Sequence, residues 1–191
     1  MRTILLILIT GIAGCSSVKS SAPSKTAADQ MLTSTAADQA ADMLAHALRV
    51  KGLAFVDTTY FDLEDGKYAI SAIRYALLRT GVRLTDDRPK AESIVEIRVG
   101  ALSTNEKEFF VGVPNPRSLD SANPAPIVLY RSNTREAVAK LAAFVYDARS
   151  GALISGTGPV HGTAKLDRQE VAPGISWETH PPSPVNERSP K

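Results

Sequence analysis

AVAKLAAFVYDARSG, residues 137–151, decides the fold. Its alanines would suit a helix. Yet Ala139, Leu141, Ala143 and Val145 also fall at every second position, as a strand with one buried face requires. The end of the stretch separates the two readings. Asp147-Ala-Arg-Ser-Gly151 is turn chemistry: the aspartate can accept from nearby backbone N–H groups, and glycine tolerates the backbone angles of a tight reversal. A strand running into a hairpin turn predicts a second strand over Ala152–Thr157, and His161–Asp167 reads as the last strand.

Working outward, residues 93–102 (SIVEIRVGAL) alternate more cleanly. Val95, Ile97, Val99 and Ala101 lie on one face, with Glu96 and Arg98 on the other, predicting a half-buried strand. Ile127–Tyr130 (IVLY) reads as a short strand. Between them, residues 103–126 hold Pro114, Pro116, Pro124 and Pro126 among asparagines and serines. That segment reads as a long loop carrying an apolar island, Phe109-Phe110-Val111-Gly112-Val113.

The N-terminal half is helical in pattern. Thr26-Ala-Ala-Asp-Gln30 and Thr35-Ala-Ala-Asp-Gln39 echo each other, and each resembles a helix start. Ala40, Met43, Leu44, Ala47 and Leu48 then form one apolar stripe, predicting a helix over Thr35–Val50 that stops at Gly52. Leu53–Thr59 is β-prone. Lys67–Arg79 carries a second stripe through Ala69, Ile70, Ile73, Ala76 and Leu77, closed by Gly81. Val82–Thr85 reads as a strand and Asp86–Pro89 as a turn. This order predicts an α+β domain with two N-terminal helices packed on one face of a mixed, largely antiparallel β-sheet.

Composition bounds the function. The chain has 191 residues, 43% hydrophobic and 22% charged, with a formal net charge of +2. One domain plus tails fits that length. The balanced charge gives no argument for a nucleic-acid partner. The lone Cys15 excludes an internal disulfide and a thiolate-rich zinc site.

Residues 1–14 (MRTILLILITGIAG) place Arg2 before an apolar run, Ile4–Ile9, followed by small residues. That is the layout of a secretory signal, and too short to span about 30 Å of hydrocarbon. Ile12-Ala13-Gly14-Cys15 resembles the lipobox of bacterial lipoproteins. The resemblance implies signal recognition through Ile12, Ala13 and Gly14, diacylglycerol on the Cys15 thiol, and cleavage that leaves Cys15 as the N-terminus. Several acyl chains together anchor durably, because each buried methylene contributes about 0.8 kcal/mol. Ser16 follows the cysteine rather than aspartate, implying the outer membrane, facing the periplasm; inner-membrane retention and cell-surface exposure remain alternatives. The domain map is therefore a lipoprotein signal peptide (1–14), a lipidated Cys15 with a flexible tether (15–27), an α+β periplasmic domain (28–171) and a Pro-rich disordered tail (172–191) containing Trp177.

Catalytic patterns are weak. His46, His161 and His180 share no ligand spacing. Asp62, Glu64 and Asp65 before Gly66 fail the calcium-loop pattern, because Ala72 stands where its glutamate would be. Ser16-Ser-Val-Lys19 lies in the tether without a following Lys-Thr-Gly. Residues 156–162 have the wrong spacing for a dinucleotide loop. No cofactor, metal or nucleic acid is expected.

Several stretches together resemble a family of uncharacterised bacterial lipoproteins: Cys15-Ser-Ser, Gln30-Met-Leu, Gly52-Leu-Ala-Phe-Val-Asp-Thr58, Tyr68-Ala-Ile-Ser-Ala-Ile-Arg74, Ala91-Glu92, Gly112-Val-Pro114 and the Asp147–Gly151 turn. That family has no established activity, so it implies no catalytic residues. The element order also resembles, at the level of fold, the lipopolysaccharide-transport and curli-secretion lipoproteins. The leading expectation is a non-enzymatic envelope binding or assembly component. Membrane lipid is its partner through acylated Cys15, and an envelope protein is a second partner, touched by Phe109, Phe110 and Val113. The rivals are an envelope hydrolase acting on cell wall or lipid through Asp57, Asp62 and Glu64, and an oligomeric secretion-pore subunit.

Overall fold

The computed structural model describes residues 15–20, 26–63, 66–116, 126–171 and 174–179. Its elements are β1 (Cys15–Ser20), α1 (Ala27–Ala47), β2 (Leu53–Asp57), α2 (Gly66–Arg79), β3 (Arg83–Thr85), a 3-10 turn (Arg88–Lys90), β4 (Ser93–Val113), β5 (Ile127–Asp147), β6 (Leu153–Val171) and β7 (Ile175–Thr179). The fold is α+β and mostly sheet. The strands form one mixed sheet in the order β3-β2-β4-β5-β6-β7, with β1 pairing on β4. Strand β2 runs parallel to β3 and β4, with α2 as the crossover from β2 to β3. The pairs β4–β5, β5–β6 and β6–β7 are antiparallel.

Helix α1 begins earlier than the apolar stripe suggests. Thr26 is its N-cap: the hydroxyl accepts from the Asp29 N–H, and the Asp29 carboxylate accepts from the Thr26 N–H at 3.1 Å. Both copies of the Thr-Ala-Ala-Asp-Gln echo therefore lie in one 21-residue helix. The second threonine, Thr35, is mid-helix, and its hydroxyl donates to the Met31 carbonyl. The buried face is Leu32, Ala36, Ala37, Ala40, Ala41 and Leu44. Small side chains let the helix lie very close to the sheet, with Gly162 of β6 beneath Ala36 and Ala40.

Helix α2 contributes Ala69, Ile73, Ala76 and Leu77 to the same core as α1, β4, β5 and β6. Gly81, at φ 90°, closes it; the Gly81 N–H donates to Leu78 and the Val82 N–H to Leu77. Residues 137–147 are strand, and the expected turn follows. The Asp147 carboxylate accepts from the N–H groups of Arg149 and Ser150, and Gly151 sits at φ 71°.

Several boundaries differ from the expectations. The first part of the expected loop over 103–126 is sheet: β4 continues to Val113, and β5 begins at Ile127 and runs on to Asp147, so Ile127–Tyr130 is not a separate strand. Over Ser103–Glu108 both faces are polar, so no hydropathy alternation marks the strand there; the ladder with β5 defines it instead. Within the expected tether, Cys15–Ser20 forms β1, antiparallel to Asn105–Phe110. Within the expected tail, Ile175–Thr179 forms β7 against Asp167–Val171. Ala152–Thr157 and His161–Asp167 likewise join in one strand, β6.

The strand lengths set the shape of the molecule. A 21-residue strand spans about 70 Å, whereas a 21-residue helix spans about 31 Å. Beyond Thr104, the last position on β4 that is buried, the sheet runs on roughly 30 Å to Val113.

Candidate functional site

The last rows of that extension, before the 114–126 connection between β4 and β5, form an apolar tip of the sheet. On β4, Phe109 and Val111 lie on the face away from α1. Tyr130 of β5 is opposite Val111, Val171 of β6 is opposite Tyr130, and Ile175 of β7 is opposite Val171. Directly opposite residues share a face, so Val111, Tyr130, Val171 and Ile175 form one apolar row across four strands. The next row inward runs Phe109, Ser132, Gln169 and Trp177. The Phe109 and Tyr130 rings meet at 6.3 Å and 59°. Phe109 is 42%, Trp177 46% and Ile175 62% exposed. Beyond a ladder irregularity at Val111/Gly112, Val113, Ile127 and Leu129 are exposed too.

Of the three residues singled out from the sequence, Phe109 and Val113 are exposed. Phe110 is half-buried on the opposite face from Phe109, the face that carries α1. Tyr130, Val171, Ile175 and Trp177 were not legible as companions, because only the ladder register brings them to the same end. On that end the Cα partner of Phe110 is Cys15. Ile12, Ala13 and Gly14 lie outside the described residues.

Charged and polar pairs form a collar behind the tip. On the α1 face, Arg131 pairs with Glu108 at 3.3 Å, and Arg135 with Glu106 at 3.6 Å and with Asp29 of α1 at 3.8 Å. The Asn133 amide donates to Glu106. On the other face Lys165 pairs with Asp167 at 2.9 Å, and the Thr134 hydroxyl donates to Asp167 at 2.7 Å. The Lys165 contact is the main reason the Asp167 pKa lies below 3.8.

At the opposite end of the sheet, Asp57 meets a different chemistry from that of a general acid. Burial disfavours its charge, yet hydrogen bonds from the Thr59 hydroxyl and N–H, and from Arg88, hold its pKa below 3.8. Arg88 also donates to the Tyr146 hydroxyl and lies 5.6 Å from the Phe55 ring centre. Tyr146 stacks on Phe144 at 5.9 Å, and Arg98 covers Phe144 at 5.6 Å. Asp57 is thus consumed by an Arg–aromatic ladder. Asp62 is exposed, and Glu64 lies outside the described residues.

A groove of about 640 Å³ lies between α1, the start of α2 and β4, lined by Gln30, Met31, Ser34, Tyr68 and Leu102 among others. Beside it the Tyr68 hydroxyl donates to Asp38 at 3.0 Å. Burial raises the Asp38 pKa, the Tyr68 hydrogen bond opposes that, and the charge of Asp42 adds to it. His46 is exposed and hydrogen-bonds the Asp42 carbonyl; His161 is exposed; His180 lies outside the described residues. Among the described residues no metal-binding group of three or more side chains assembles, and no helix is long and apolar enough to cross a membrane.

A family model described as a family of unknown function (DUF6655) matches residues 9–169, a span that includes Cys15 and ends within β6. No curated protein and no solved structure matches the chain.

Proposed function

The chain belongs to this family of unknown function (DUF6655), and we propose from its own residues that it is a bacterial lipoprotein, anchored by acyl groups on Cys15 and acting as a non-enzymatic envelope binding or assembly component. The observation that carries the reading is the sequence Ile12-Ala13-Gly14-Cys15 after a charged start and a short apolar run. Export to the outer membrane, facing the periplasm, follows from Ser16 rather than aspartate after the cysteine. The two helices cover one face of the sheet, leaving its other face and its far end for contact. The binding role is supported by the exposed apolar tip, since contiguous exposed apolar side chains mark contact surfaces more often than they mark chemistry.

The test is processing in a bacterial host. Globomycin should block maturation, and a fatty-acid probe should label the protein. Both effects should vanish in Cys15→Ala. Persistent labelling of that variant would sink the reading.

A further inference from the structure

We infer that the apolar tip of the sheet inserts into the membrane surface beside the lipid on Cys15, so that the domain stands on the bilayer by the ends of β4–β7. This rests on the lipoprotein reading above and adds the surface that meets the lipid.

Register supplies the first argument. Cys15 pairs with Phe110, and β1 stays on β4 through the Ser20–Asn105 pair. The acylated residue is therefore about 5 Å, one strand spacing, from the apolar end. The anchor does not hang on slack chain. Wherever the acyl chains enter the bilayer, Phe109, Phe110 and Val111 come to its surface with them.

Depth supplies the second. From Phe109 to Val113 the strand rises roughly 13 Å, and the two aromatic-bearing rows occupy about half of that. Elements that lie at the headgroup–acyl boundary bury about 5–10 Å. Tyr130 and Trp177 suit this level, since each has an apolar ring with one polar group.

The collar supplies the third. On the α1 face the collar starts level with Phe110, whose partner is Arg131, and continues through Glu108–Arg131 and Glu106–Arg135; on the other face Lys165–Asp167 follows the Phe109 row. A strand that crosses a bilayer needs about 9–11 residues with a continuous apolar face. Charges on both faces stop insertion after the first rows. The same geometry argues against a pore wall.

Trp177 is the only tryptophan of the chain, so its fluorescence reports the tip alone. The full-length protein, matured in cells, would be purified and reconstituted into phosphatidylcholine/phosphatidylglycerol vesicles. Mass spectrometry would read acylation of Cys15 on the same sample. Trp177 emission should shift to shorter wavelength, and lipids brominated near the headgroup should quench it more than lipids brominated near the acyl end. The exposed-site variants Phe109→Ser and Ile175→Ser should keep the circular dichroism spectrum and the acyl label. Each should move the tip about tenfold toward water, read as lost quenching.

Acylated protein whose Trp177 is unquenched would overturn tip insertion and leave the lipoprotein reading standing. Unacylated Cys15 would overturn both. Trp177 that is shielded from iodide in a concentration-dependent way without lipid would assign the tip to a second copy of the chain, and would overturn the proposal as well.

Discussion

Gly162 of β6 lies under Ala36 of α1 so closely that a Cβ built on the glycine would come within 1.9 Å of the Ala36 carbonyl oxygen. The Ala40 backbone nitrogen would be 2.7 Å away. Both obstacles are backbone, so no rotamer change relieves them. The alanine face of α1 and this glycine together set how near the helix approaches the sheet, and hence the depth of the core.

Gly162→Ala is therefore expected to cost about 3 kcal/mol, the upper part of the range for overpacking, because the helix must move off the sheet. Gly158, four positions earlier on the same strand, has open space around it. Gly158→Ala should change stability by less than about 0.5 kcal/mol. Urea unfolding of the two variants side by side checks the contrast. Equal effects would show that close packing is not what Gly162 provides.

The two Thr-Ala-Ala-Asp-Gln copies should respond differently. Thr26→Ala removes a helix cap and should cost about 1 kcal/mol. Thr35→Ala removes only a hydroxyl that donates to its own helix, and should stay within about 0.5 kcal/mol of the parent. Thermal unfolding distinguishes them; a larger loss at Thr35 would move the helix start to the second copy.

Asp57 and Asp38 should give opposite acid responses. The folded-state pKa of Asp57 is lowered from 3.8, so its contribution is present above that value and is lost as pH falls through the folded pKa. The folded-state pKa of Asp38 is raised from 3.8, so its ionised form is penalised, and stability recovers as pH falls through that raised value. Asp57→Asn should flatten the acid-side decline below pH 3.8. Asp38→Asn should remove a gain that appears just above that pH. Denaturant midpoints measured across the acid range read both signs, and a matching change in the two variants would contradict the assignment.

How far these features can be read before folding depends on where water is. Ser93–Leu102 and Ala137–Asp147 alternate because α1 covers one side of them and the other side is wet. Their strands, the Asp147–Gly151 turn and both helices are legible for that reason. At Ser103–Glu108 and Arg131–Glu136 only the start of α1 reaches the sheet, through Asp29 to Arg135; polar residues fill both faces, and the strand signal disappears. A subtler sign was present: on one face Glu106 of β4 lies opposite Arg135 of β5, and Glu108 reaches Arg131 diagonally, the charge pattern of a cross-strand ladder. Phe109, Phe110 and Val113 stood out as an apolar island among polar residues. Tyr130, Val171, Ile175 and Trp177 did not, being scattered over three separate segments.

Local chemistry was enough for the α+β class, the hairpin at Asp147–Gly151 and the helix ending at Gly81. Each depends on neighbours within a few positions along the chain. Tertiary structure alone decided that β4 and β5 run on past the core, that β1 and β7 join the sheet, and that Cys15 registers with Phe110 at its apolar end. Those outcomes depend on backbone hydrogen bonds between distant segments. Such bonds form with any side chain, so the residue pattern carries little trace of them.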